Sequence, residues 1–121
     1  MIKLVYCVRR RADVAPEEFR RTWLEDHGPL VRSYASALKA VRYVQSHTMD
    51  VPLNEAIAAS RGTAAAYDGI TEVWWERLDD LLAAGATAEG QAASQALIAD
   101  EARFIDFAAS RVFFTEEHAI F

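Results

Sequence analysis

The sequence is short of cysteine, proline, glycine and histidine, with one, three, five and three of them among 121 residues. The single cysteine, Cys7, cannot close a disulfide within the chain, so no oxidising compartment is implied, and it cannot build a cysteine-rich zinc site. The histidines, His27, His47 and His118, fall on separate segments. They form no i, i+4 pair and no H-E-x-x-H motif, so no metal is expected. Neither glycine-rich phosphate cradle, G-x-G-x-x-G or G-x-x-x-x-G-K-[ST], is present, and neither is the G-x-S-x-G nucleophile elbow. No apolar run is long enough to span a bilayer, and the segment after Met1 does not read as a signal peptide. Positive charge is also in deficit: thirteen Lys and Arg against eighteen Asp and Glu leave a net charge of −5. That balance excludes a sequence-independent grip on nucleic acid and a polybasic membrane contact. The expected location is the cytoplasm.

Apolar residues make up 52% of the chain and charged residues 26%, the profile of one folded domain spanning residues 1–121. Ile2–Arg9 is rich in β-branched and aromatic residues and predicts a strand. Pro16, followed by Glu17 and Glu18, predicts a helix start. Phe19, Trp23 and His27 then recur at four-residue steps, and Leu30, Val31, Tyr34 and Leu38 extend the stripe. Gly28-Pro29 predicts a kink or break just after His27, because proline lacks a donor and crowds the preceding turn. Ala40–Met49 predicts a second strand, with Tyr43, Gln45 and His47 on one face. Asp50–Tyr67 reads as a long connection with a helical turn near Asn54–Ala59. Asp68-Gly69 marks a turn before a third strand, Ile70–Glu76, on which Ile70, Glu72 and Trp74 alternate with Thr71, Val73 and Trp75. A helix follows from Leu78, a second apolar run covers Gln91–Ile105, and Arg111–Glu116 predicts a fourth strand.

This order, β-α-β followed by β-α-β, predicts an α+β, ferredoxin-like split βαβ fold with a four-stranded antiparallel sheet and its helices on one face. The uncovered face carries apolar residues. A second copy of the chain is the simplest cover for it.

Candidate chemistry centres on His27. It shares a face with Phe19 and Trp23, so it points inward. It suits a core histidine that closes off a carbonyl at the kink, the plainer role, or a proton-transfer group. His47 reads first as an ordinary polar residue near a strand end. Glu72, between Ile70 and Trp74, reads first as a paired structural charge and otherwise as an acid or base of raised pKa. Most aromatic residues belong to the core or an interface. Tyr6, Tyr43 and Trp74 have polar tips and are the better candidates for lining an apolar ligand pocket. The basic run Arg9-Arg10-Arg11 reads as a solvated turn or a set of partners for acidic side chains.

Four segments together resemble the EthD family: Ile2-Lys-Leu-Val-Tyr; the F-x3-W-x3-H-x-P-L spacing within Pro16–Val31; Tyr67-Asp-Gly-Ile-Thr-Glu-Val-Trp-Trp75; and Thr115-Glu-Glu-His118. The likeness covers nearly the whole chain. It implies a ferredoxin-like protomer that pairs sheet to sheet as a dimeric α+β barrel. It further implies a cofactor-independent oxidoreductase or a proton-transfer enzyme acting on a flat, apolar, oxygenated organic molecule. The other outcome is a non-catalytic accessory protein that binds a hydrophobic metabolite or supports a partner oxygenase. By this resemblance His27 and Trp23 are pocket residues. His47 is carried over as a second catalytic histidine and Glu72 as a substrate-binding residue.

Overall fold

Alternating β-branched and aromatic side chains build β1 (Ile2–Val8) in the computed structural model, which describes residues 1–121. The other strands are β2 (Arg42–His47), β3 (Gly69–Trp75) and β4 (Arg111–Glu116). They form one antiparallel sheet in the order β2-β3-β1-β4. This is the ferredoxin-like arrangement that the element order predicts.

The first helical stretch begins at Pro16 and does not break at Gly28-Pro29. It runs as α1 (Pro16–Arg21), a π-helical segment (Thr22–His27) and α2 (Gly28–Ser33), followed by a short α3 (Ala35–Leu38). The expected break is absent because the wider π turn absorbs the proline. The Gly28 N–H donates to the Trp23 carbonyl, one residue further back than in an α-helix. The ladder is thus already shifted where Pro29 offers no donor.

The long connection after β2 contains a full helix, α4 (Pro52–Arg61), with no buried residue. It ends at Gly62, whose φ of 65° lies in the left-handed region. After β3 come α5 (Leu78–Ala86) and α6 (Ala88–Glu101). Thr87 caps α6 by accepting from the Gly90 N–H at 2.9 Å. The helix ends at Glu101, short of the predicted Ile105. Phe104 and Ile105 instead leave the helix to enter the core, and Ile105 forms a bridge with Arg10.

The dry core gathers at one end of the space between sheet and helices. Val8, Phe19, Trp23, Phe104 and Ile105 pack there, with Tyr6 and Val14 against them. Gly69 is part of this packing. A Cβ at that position would collide with the Trp23 ring and come within 2.8 Å of the Ser46 carbonyl. The residue therefore serves close approach of the helix as well as the turn. The Arg9–Arg11 run is spent on local ties: Arg11 forks onto Asp13, the Arg10 N–H donates to Asp68, and Arg9 lies over the Tyr67 ring. No helix is long and apolar enough to cross a membrane.

Candidate active site

Beyond the packed end, sheet and helices part around a cavity of about 1020 Å³. Twenty of its 32 lining residues are apolar. The sheet contributes Tyr6, Tyr43, Gln45 and Thr71, and the helices contribute Trp23, His27 and Glu101. Val112 and Phe114 line it from β4 while each stays 55% exposed, so the cavity opens on that side.

His27 ends the π-helical segment and is 4% exposed. Its Nδ1 lies 2.7 Å from Asp100 Oδ2 on α6. Asp100 is also gripped by Arg103, at 2.9 Å from Nε and 2.8 Å from Nη2. Burial pushes the Asp100 carboxyl up, but hydrogen bonds from His27 and Arg103 outweigh it and hold the group below its ordinary value. Burial also lowers the His27 pKa, and Asp100 only partly restores it. The neutral ring therefore donates from Nδ1 to a carboxylate and leaves Nε2 as a bare acceptor. Nε2 faces Glu101 Oε2 at 4.0 Å.

Glu101 occupies the last position of α6. Burial raises its pKa to about 7, Tyr6 counteracts this in part, and Asp100 adds a further rise. Tyr6 is shifted upward in turn, by burial first and then by Glu101. Burial likewise raises Tyr43. Its hydroxyl accepts from Gln45 Nε2 at 3.0 Å, and the same amide donates to the Trp23 carbonyl at 2.8 Å.

The residues singled out in the sequence therefore separate into two groups. Tyr6, Trp23, His27 and Tyr43 meet at the cavity. His47 does not line it. Its ring stacks on Trp23 at 4.3 Å, and its Nε2 donates to Gln45 Oε1 at 2.8 Å. It reaches the cavity only through the lining residues Trp23 and Gln45. Glu72 and Trp74 lie on the opposite face of the sheet, because the two-residue period of β3 sends Thr71, Val73 and Trp75 inward instead. Glu72 pairs there with Lys3 at 2.5 Å, and Trp74 is flanked by Lys3 and Arg42. His118 sits on the exposed tail beside Glu116. No group of histidine, cysteine or carboxylate side chains is gathered as metal ligands.

Asp100, Glu101 and Arg103 were not singled out from the sequence. One signal was available. Two adjacent carboxylates close α6, whose last turn carries no basic residue. The negative end of the helix dipole disfavours that placement, and such local conflicts concentrate at functional sites.

Fold and cavity together define a ferredoxin-like α+β protein with a half-enclosed, mostly apolar chamber between its layers. The EthD domain family model matches residues 11–108, and the chain belongs to that family. No curated protein matches the chain. Among solved structures it is similar to an EthD family protein from Bacillus halodurans, with 18% identity, 98% of this chain and 99% of that one covered, and a TM-score of 0.65. It is also similar to a dimeric ferredoxin-like protein of unknown function from Bacteroides fragilis, with 13% identity, 96% and 95% covered, and a TM-score of 0.59. A third is SnoaB, a cofactor-independent oxygenase from Streptomyces nogalater, with 15% identity, 98% and 95% covered, and a TM-score of 0.55.

Proposed function

We propose that the protein is a homodimeric enzyme that moves a proton on a flat, apolar, oxygenated organic molecule held in the cavity, without a bound cofactor. The observation that carries the reading is the His27 ring, fixed by Asp100 at Nδ1 and bare at Nε2 inside an apolar chamber. A histidine that only closed off a backbone carbonyl would need no oriented carboxylate. A general base needs this orientation and a neutral ring. Trp23 and Tyr43 supply flat walls, and Gln45 fixes the Tyr43 hydroxyl as a polar anchor. Removing a proton from a carbon beside a carbonyl opens the way to cyclisation or dehydration. In an oxygenase reaction of this kind, dioxygen would be the oxidant and the substrate carbanion the electron donor.

The outer sheet face supports the dimer. Ile70 and Phe113 stand there 37% and 47% exposed, and only 15 of 121 residues are buried in the single chain. A second copy would cover that face, as the barrel arrangement requires. The location is the cytoplasm.

A native mass spectrum of freshly purified protein tests both parts of the reading. A homodimer that retains an organic adduct is expected, and the adduct mass identifies the substrate to assay. A monomer would remove the barrel. Once turnover is measured, His27→Ala should abolish it in a still-folded dimer, and full activity in that variant would sink the assignment.

A further inference from the structure

The cavity holds a second ionisable group that the His27 reading does not use. Glu101 Oε2 stands 4.0 Å from His27 Nε2, lines the same chamber, and has a side chain only 15% exposed. No lysine or arginine pairs with it, whereas Arg103 is committed to Asp100. The groups around it come from every layer: Tyr6 from β1, Tyr43 from β2, His27 from the π-helical segment and Asp100 from its own helix. None brings a fixed positive charge. A carboxyl buried without a cation, beside a phenol and a neutral imidazole, is built to exchange a proton and not to hold a structural charge.

We infer that Glu101 is the catalytic carboxyl that receives the ligand's acidic proton, with Tyr6 as its hydrogen-bonding partner and His27 as the second acceptor beside it. The inference rests on the reading of the cavity as a ligand site. In the step, the ligand O–H bond, or a C–H bond next to a carbonyl, breaks. The proton forms an O–H bond on Glu101, and the electron pair stays on the ligand as a phenolate or enolate. One negative charge moves from protein to ligand and the net charge of the pair is unchanged. Glu101 no longer needs a donor once protonated, so the Tyr6 hydroxyl is released to donate to the new oxyanion. Burial supports this division of labour, since it holds the Glu101 pKa near 7 and keeps Tyr6 protonated. The ligand class follows as flat phenols and enolisable ketones whose acidity lies within reach of such a base.

Two measurements on the full chain test the inference. The first follows the Glu101 side-chain carboxyl by carbon-13 NMR of glutamate-labelled protein, with Glu101→Gln identifying the resonance. A midpoint near 7 is expected, and a midpoint near the ordinary 4.5 would overturn the proposal. The second uses 7-hydroxycoumarin, a flat phenol whose fluorescence reports its ionisation. At neutral pH the bound probe should show a several-fold larger phenolate fraction in the wild type than in Glu101→Gln. Equal fractions would overturn the Glu101 assignment and leave His27 as the base. Failure of both proteins to bind the probe would count against the cavity as a ligand site and overturn both readings.

Discussion

Glu72 and Glu101 stand on opposite sides of one sheet. Glu72 projects from the outer face of β3, where Lys3 meets it at 2.5 Å and both side chains keep 20–25% of their exposure. Glu101 reaches the inner face from the end of α6 and finds a phenol, an imidazole and apolar walls. The residue type is the same. The surroundings differ: outside, the neighbouring strand β1 supplies Lys3, and inside no lysine or arginine pairs with the carboxyl. The outer carboxylate is paired with a lysine, while burial brings the inner one to a pKa of about 7. Site chemistry in this molecule therefore follows what the helical layer withholds as much as what it provides.

The contrast fails most completely if the helical layer loses its anchor. Trp23 is 1% exposed and packs on Phe19, His47 and the bare Cα of Gly69. Trp23→Ala should cost about 3–5 kcal/mol, seen as a lowered urea midpoint. A cost below about 1 kcal/mol would show that the packed end does not hold the layers apart.

The next effect is a pH dependence carried by Glu101. Its pKa is raised from 4.5 in the reference state to about 7 in the fold, so the folded protein binds the extra proton between those values. The favourable contribution is fully present below pH 4.5 and is lost as pH rises through about 7. The amount is about 3 kcal/mol. His27 acts in the opposite sense, because its lowered pKa makes stability rise as pH increases toward 6.5. The two partly cancel in the wild type. The difference in unfolding free energy between wild type and Glu101→Gln isolates the carboxyl. It should fall steadily from pH 4.5 to about 7, and a flat difference would show that Glu101 ionises as it does in water.

The smallest effect belongs to the outer face. Lys3→Met removes a partly exposed ion pair and should change stability by no more than about 1 kcal/mol. It should also leave the Glu101 titration unmoved. A displaced Glu101 midpoint would mean that the two faces are electrically coupled through the sheet.

Much of the fold is legible from local pattern. The bounds of β4 coincide with the sequence expectation, and Pro16 opens the first helix as its position dictates. Phe19, Trp23 and His27 are all buried, as their spacing requires. The absence of a break at Gly28-Pro29 has a physical cause, because proline penalises an α-helical ladder and the chain uses a π-helical one up to His27. Glu72 illustrates a different limit. Alternation correctly sorted β3 into two faces, but it does not say which face the helices cover. Asp100 and Glu101 were harder still, since the partner that ties Asp100 into the site, His27, lies 73 residues away in sequence, and Glu101 meets His27 and Tyr6 only across the cavity.

The sequence by itself determined the element order, the inward stripe of the first helix and the absence of a phosphate cradle or cysteine-rich site, because these depend on local spacing and residue type. Only the tertiary structure decided which sheet face became the chamber, that His27 is oriented by Asp100, and that Glu101 is left without a cation. Those outcomes depend on how α6 docks across the first helical stretch, and desolvation and charge pairing are properties of that meeting, not of either segment alone.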